Sequence, residues 1–435
     1  MSPEIDIALT CEAITATAKV YNNKVIDTSF NGTVTLSSNG NTLDTAMAQS
    51  GVATFSVDSN VVQTIDAMAS ITITGQDYVS NAVNYQFVPE RFEILPTPLN
   101  LIAGRSQAIA ISPLECDAGG TPISDTSYLG GSEVTLSNVS YIYPSSPLNS
   151  ASIEILDKDG DWVSSPSAGV APLELTFVSE NGKVVANSEI KYAEAGQVTF
   201  TLSDKQCITD EDGVEKCKEY TGTKEVKSRP WTFAVCPPPS INGTDGNSTG
   251  GVGFMPARES FSLNVKPVVW SAALDVNVDS SVDGQTGPFR LFQKRPNSPF
   301  CSLATTENFY VDDSATNTSV ELVHSLATPS NGIAGVMSGG DAIDNHSTTT
   351  ELEFSNLSVT EVGSFHFQAQ SNNTFYDAIE GGIDPGAREL GRFYPRYFQV
   401  VGEDWDYFGA QTAFNYMNQN FDKVSFDVEA LSGGT

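Results

Sequence analysis

Apolar and polar residues alternate in short runs along most of the chain. Leu173, Leu175 and Phe177 are separated by polar residues, and the same two-residue period occurs at 198–202 and 424–428. This period is typical of β-strands that bury one face. No long segment keeps a helical period, so the pattern predicts an all-β fold.

Turn residues separate these runs at regular intervals. Asn181-Gly182 lies between the apolar runs 173–177 and 184–190 and predicts a tight hairpin. Short strands joined by such turns, with no helices between them, are typical of antiparallel sandwiches. We therefore expect tandem Ig-like β-sandwich modules.

Two marks recur in the same order and divide the chain. Gly-x-x-x-Phe begins at Gly51, Gly196 and Gly363, and each is followed 32 to 38 residues later by Pro-x-x-Phe, at 89–92, 230–233 and 395–398. Because proline cannot donate to a sheet ladder, each Pro-x-x-Phe predicts a stiff joint whose Phe faces the next core. The predicted modules are an Ig-like sandwich at 1–90, a larger sandwich at 91–231, a larger sandwich with long loops at 232–396, and the start of a truncated fourth module at 397–435.

Charge and hydropathy exclude several partners. The chain has 53 acidic and 22 basic residues, a formal net charge of −31, which repels phosphate backbones and anionic lipids. No apolar run approaches the roughly 20 residues that cross a bilayer. We expect neither nucleic acid nor a membrane span.

The six cysteines indicate an oxidising compartment. Cys207 and Cys217 bracket an Asp-Gly turn that would place their sulfurs opposite each other, so this pair predicts a disulfide. Cys236 and Cys301 are further disulfide candidates, and with Cys11 and Cys116 they make the total even. Spacing alone leaves their pairing open, and buried free thiols are the alternative.

Calcium is the one candidate cofactor. Asp157, Asp159 and Asp161 carry carboxylates at alternate positions, as in the first half of a calcium loop. The twelfth position of such a loop is Ala168 instead of Glu. An Asp-Gly hairpin turn explains the same residues more simply.

Catalytic motifs lack the context that they need. Gly-x-Ser-x-Gly occurs at 246–250, but neither a strand before Ser248 nor a helix after it is predicted. His366 lies inside an alternating strand, which favours a structural role. Aromatic residues concentrated at 405–421 are expected in the core of the fourth module, with a sugar-stacking platform as the alternative. We expect no enzymatic activity and no catalytic residues.

Framework residues near the joints resemble a known family. The segment 391–398, the segment 231–236, the strand 261–265 with Trp270, and the segment 414–421 are similar to the MshQ family. That family belongs to the mannose-sensitive haemagglutinin (MSHA) type IV pilus system. The resemblance is strongest from Arg229 onward, and it provides no binding residues.

The resemblance implies a non-enzymatic accessory or minor pilus component that contributes to pilus biogenesis, attachment and biofilm formation. Its location would be the periplasm, cell surface or pilus of a Gram-negative bacterium, and its partners would be pilus subunits, other pilus accessory proteins and surface glycans. The alternative is a carbohydrate-binding or calcium-dependent adhesion module of a bacterial surface protein.

Overall fold

A computed structural model describes residues 6–117, 119–209, 213–238, 250–275, 299–313, 317–348, 350–371, 383–410 and 414–432. Strands dominate these ranges. The helical elements are one short α-helix, α1 (Ala272–Asp275), and single 3₁₀ turns such as Glu307–Tyr310. The all-β prediction is confirmed.

The first sandwich packs small and aromatic side chains between its sheets, including Ala16, Phe55 and Phe87. Ile14–Lys19 shows strict alternation of buried and exposed residues, as its sequence pattern predicts. Its strands are β1 (Asp6–Leu9), β2 (Ile14–Lys19), β3 (Tyr21–Asn22), β4 (Val25–Ile26), β5 (Thr33–Ser38), β6 (Asn41–Met47), β7 (Val52–Val57), β8 (Gln63–Ile73), β9 (Gln76–Val79) and β10 (Val83–Val88).

The second sandwich has a core of branched aliphatic residues around Phe92, Phe177 and Tyr220. Asn181 and Gly182 take positive φ in the tight turn of the predicted hairpin. Its strands are β11 (Arg91–Leu95), β12 (Leu99–Ile102), β13 (Gln107–Cys116), β14 (Pro122–Ser124), β15 (Gly130–Ser137), β16 (Ser140–Tyr143), β17 (Ile153–Leu156), β18 (Trp162–Ser164), β19 (Val170–Glu180), β20 (Lys183–Tyr192), β21 (Gly196–Thr209) and β22 (Glu215–Arg229).

The third sandwich is rich in phenylalanine, with Phe261, Phe367 and Phe393 in mutual ring contact. Its strands are β23 (Thr232–Cys236), β24 (Met255–Pro256), β25 (Phe261–Val268), β26 (Ser319–Thr328), β27 (Met337–Ser338), β28 (Ile343–Asp344), β29 (Leu352–Val359), β30 (Gly363–Ser371) and β31 (Gly386–Tyr394). A terminal hairpin follows, formed by β32 (Tyr397–Asp406) and β33 (Lys423–Leu431).

Each sandwich has a parallel strand pair at the edge of one of its sheets, although antiparallel pairing dominates elsewhere. β1 pairs with β10, β12 with β22, and β24 with β31. In each case an early strand lies beside the last strand of its sandwich and runs in the same direction. This parallel edge pair is the structural repeat of the chain.

The repeated Gly-x-x-x-Phe and Pro-x-x-Phe motifs coincide with this parallel edge pair only in part. β10, β22 and β31 all end at the residue before the proline of a Pro-x-x-Phe mark. Gly196 and Gly363 begin strands that pair with the last strand, whereas Gly51 precedes β7, which pairs with β2. Phe92 and Phe233 are 3% and 1% exposed, but Phe398 is 70% exposed, so the expectation of a core-facing Phe is wrong at the third joint.

Candidate functional site

Three disulfides join all six cysteines of the chain. Cys207 is bonded to Cys217 across the end of the β21–β22 hairpin, Cys236 to Cys301 within the third sandwich, and Cys11 to Cys116. The last bond connects the first sandwich to the second. Such bonds are typical of proteins that function outside the cytoplasm.

Asp157, Asp159 and Asp161 form the turn between β17 and β18. The Asp157 carboxylate accepts the backbone N–H groups of Asp159 and Asp161, both at 2.9 Å. Gly160 takes φ 88°, a conformation that favours glycine. One oxygen of Asp157 is thus used to hold the turn, which is what an Asp-Gly hairpin turn requires.

The three carboxylates do not converge on one point. In the described part of the chain, Cys207, Glu215 and Cys217 are the one group of three candidate ligands whose donor atoms lie within 4.8 Å of one another. The two sulfurs of that group are joined in a disulfide and cannot act as thiolate ligands.

We predict that calcium leaves the thermal unfolding of the chain unchanged. Asp157→Ala should lower the free energy of unfolding by about 1–2 kcal/mol because two backbone N–H groups lose their acceptor. Asp159→Ala is the matched control and should cost less, since its carboxylate accepts no backbone N–H in this turn. Melting curves in calcium and in chelator test both statements, and a calcium-dependent rise in Tm that Asp159→Ala removes would contradict them.

The candidate catalytic residues are not brought together. Ser248 lies outside the described residues. His366 lies in β30, paired in register with Ser325 and Glu389. His324 contacts the backbone oxygen of Ala334 through Nε2 at 3.0 Å.

The terminal aromatic residues lie on the exposed β32–β33 hairpin. Trp405 contacts Phe421 and Phe426 with ring centroids 5.2 and 5.5 Å apart. Phe414 and Tyr416 pack against each other and remain 51% and 63% exposed. Like Phe398, these rings are exposed, so the expectation that they lie in a core is not met among the described residues.

The first junction, between the first and second sandwiches, combines the Cys11–Cys116 bond with polar contacts. The Glu115 carboxylate accepts the backbone N–H of Val62 at 2.9 Å, and Lys218 forms an ion pair with Glu12 at 2.6 Å. The hydrogen bond from Lys218 lowers the pKa of Glu12, whereas burial raises the pKa of Glu115.

The second junction, between the second and third sandwiches, is centred on the carboxylate of Glu194. This residue lies between β20 and β21 and is fully buried. One oxygen accepts the N–H groups of Ala195 and Asn308 at 2.8 and 3.1 Å. The other accepts the N–H of Glu307 and the side-chain amide of Asn149, both at 3.1 Å.

Asn149 and Asn308 also bind each other across the same junction. The Asn308 side chain accepts the backbone N–H of Asn149 at 3.0 Å and donates to its carbonyl at 2.9 Å. Burial raises the pKa of Glu194 to about 7, although the hydrogen bonds from the four donors act in the opposite direction and lower it. The carboxylate of one sandwich therefore caps the 3₁₀ turn Glu307–Tyr310 of the next.

A second set of contacts at this junction surrounds Trp270. Its backbone N–H donates to Ala103 at 2.9 Å, and the N–H of Trp231 donates to Val268 at 2.9 Å. Trp231 packs on Phe300 with ring centroids 5.4 Å apart. Both junctions are thus folded interfaces with ordered contacts.

Sequence reasoning did not find Glu194 or Asn149. Glu194 sits in Ala193-Glu-Ala195, a loop segment without turn residues among many acidic loops. Its signal is an acidic residue between small apolar ones, which is too common to single out. Glu307 and Asn308 lie more than 100 residues away in sequence and Asn149 lies 45 residues away, so only the fold brings these partners to Glu194.

Two segments of the chain match family models. Residues 229–356 match DUF6701, second domain, and residues 361–434 match DUF6701, third domain. A search of curated proteins found no match.

Several solved structures match this chain at low similarity. The adhesin InvE of Yersinia pseudotuberculosis is 15% identical over 59% of this chain and 66% of its own, with a TM-score of 0.22. Invasin, a bacterial integrin-binding protein, is 11% identical over 93% of this chain and 60% of its own, with a TM-score of 0.23. A β-glycosidase from Bacteroides vulgatus is 16% identical over 48% of this chain and 23% of its own, with a TM-score of 0.16. This chain spans less than two thirds of each, and similarity this low carries no argument about function.

Proposed function

We propose that the chain is a non-enzymatic extracytoplasmic accessory or minor component of an MSHA-like type IV pilus. In this role it contributes to pilus biogenesis, surface attachment and biofilm formation. The supporting observation is the pair of junctions. A disulfide joins the sandwiches at the first, and the buried carboxylate of Glu194 with its hydrogen-bond donors joins them at the second. Such ties suit a stalk that holds a partner at a set distance from the cell.

Two further observations support the proposal. The resemblance to the MshQ family is strongest from Arg229 onward, and the matched DUF6701 segments occupy residues 229–356 and 361–434. The three disulfides agree with a location outside the cytoplasm. No helix among the described residues is long and apolar enough to cross a bilayer.

Capture of assembled pili tests the proposal. We expect the immobilised chain to retain purified MSHA-type pili equally in calcium and in chelator, and Asp159→Ala to retain them as well as the unmodified chain. An unrelated acidic tandem-sandwich protein of similar charge serves as the negative control, because nonspecific repulsion or adsorption would affect both proteins alike.

The opposite outcome would favour the adhesion module. Failure to retain pili in either buffer, together with binding to immobilised glycans, would overturn the pilus assignment. Retention that needs calcium and is lost in Asp159→Ala would overturn the purely structural role.

A further inference from the structure

A surface cavity of about 360 Å³ lies at the edge of the second sandwich, beside the second junction. Its walls are β12, the turn that follows it and the start of β13, and Arg229 at the end of β22 completes it. The polar side chains that line it are Asn100, Arg105, Ser106, Gln107 and Arg229. Its volume is within the range of roughly 300–1,000 Å³ typical of small-molecule sites.

The guanidinium of Arg229 is held in place by protein groups. Nη1 donates to the carbonyl oxygens of Pro230 and Trp231 at 3.2 and 3.4 Å. Nη2 lies 3.5 Å from the Asp384 carboxylate, which is long for a charge-assisted hydrogen bond. The side chain is 9% exposed, so Arg229 contributes a fixed positive charge that Asp384 compensates.

Arg105 is positioned by a tight turn. Its backbone N–H donates to Ile102 at 2.9 Å, and Gly104 takes φ +80°, which residues with a side chain rarely adopt. The guanidinium carbon lies 6.0 Å from the centre of the Trp270 ring. Among the described residues no carboxylate forms an ion pair with Arg105, although the chain has 53 acidic residues.

The two guanidinium groups influence each other. Burial lowers the pKa of Arg229, the Asp384 carboxylate opposes this, and the charge of Arg105 lowers the pKa further. Two like charges that share a cavity are relieved by an anion between them. With Asp384 counted, the three groups sum to one net positive charge, which suits a monoanion better than a phosphate dianion.

We propose that the cavity between Arg105 and Arg229 binds a small hydroxylated carboxylate, with a uronic acid as its representative. The planar fork of Arg105 pairs with the carboxylate, and Asn100, Ser106 and Gln107 supply polar groups for hydroxyls. This inference goes beyond the stalk function and does not depend on it.

Titration of the full chain with D-glucuronate tests the site, with D-glucose, sulfate and inorganic phosphate as comparison ligands. We expect saturable binding of glucuronate that weakens with added salt. Arg105→Gln should weaken it by about tenfold or more, and Arg105→Lys by less, because lysine keeps the charge without the fork. Arg91→Gln is the matched control, since Arg91 is an exposed arginine already paired with Glu90 at 3.3 Å.

The outcomes are distinct. Glucuronate binding that Arg105→Gln leaves unchanged, or that glucose matches, would overturn the site. Sulfate or phosphate binding as tight as glucuronate would overturn the assignment of a hydroxylated carboxylate. Both Arg105 variants should unfold as the unmodified chain does, because the side chain is exposed, and neither should change the capture of pili.

Discussion

Glu194→Ala should lower the free energy of unfolding by about 3–5 kcal/mol. The substitution leaves the backbone N–H groups of Ala195, Glu307 and Asn308 buried without their acceptor. Denaturant unfolding followed by tryptophan fluorescence measures the loss, because Trp231 and Trp270 lie at this junction.

The same carboxyl should make stability depend on pH. Burial raises the pKa of Glu194 from 4.5 to about 7 in the folded chain. Between these two values the folded state binds more protons than the unfolded state, so stability falls as pH rises through this interval. The side chain of the Glu194→Gln variant cannot titrate. The difference in free energy of unfolding between this variant and the unmodified chain should therefore change by up to about 3 kcal/mol between pH 4 and 8.

Glu189→Gln is the matched control for both measurements. Glu189 lies five residues earlier, in β20, and is exposed. Its substitution should change stability by less than about 0.5 kcal/mol at any pH. A Glu194→Ala variant as stable as the Glu189→Gln variant would show that the cluster does not hold the second junction.

Replacement of Cys11 and Cys116 by serine should destabilise the first sandwich and its junction by about 2–5 kcal/mol. The bond joins residues 105 apart in sequence, so its loss restores a large amount of freedom to the unfolded chain. The double substitution Cys207→Ser, Cys217→Ser is the control. Its bond joins residues only 10 apart in sequence, so its loss should lower the free energy of unfolding by less.

Hydrogen exchange is the suitable readout for this variant. The four tryptophans are Trp162, Trp231, Trp270 and Trp405, and none lies in the first sandwich. Fluorescence would therefore miss its opening, whereas amide protons of β1 and β2 report it directly. Unchanged protection in β1 after loss of the bond would contradict the prediction.

The sequence was informative wherever local chemistry decides the structure. Alternation at 173–177 and the Asn181-Gly182 turn predicted a hairpin that the structure contains, because side-chain period and turn type are set by neighbouring residues. The prolines at 89, 230 and 395 marked strand ends for the same reason.

The junctions and the parallel edge pairs could not be predicted in this way. β12 and β22 are separated by more than 100 residues, and no local pattern states which edge a strand will join. Glu194 is distinguished from other acidic residues only by its burial and by donors from Asn149 and the Glu307–Asn308 segment. Gly51 begins the same motif, but the strand after it, β7, pairs with β2 and not with the last strand of its sandwich. A glycine before a strand is compatible with several strand pairings, so the motif alone does not determine the pairing.

The bond between Cys11 and Cys116 also determines how the chain carries tension. A pull applied near residue 6 and at the far end passes through the two sulfurs and bypasses the whole segment between them. That segment would extend by roughly 350 Å if it unravelled, at about 3.4 Å per residue. Under shear the strands between the two cysteines, β2 to β12, are therefore spared the load, whereas β1 lies outside the bond and is loaded. The length stored between the cysteines is released only when the bond is reduced.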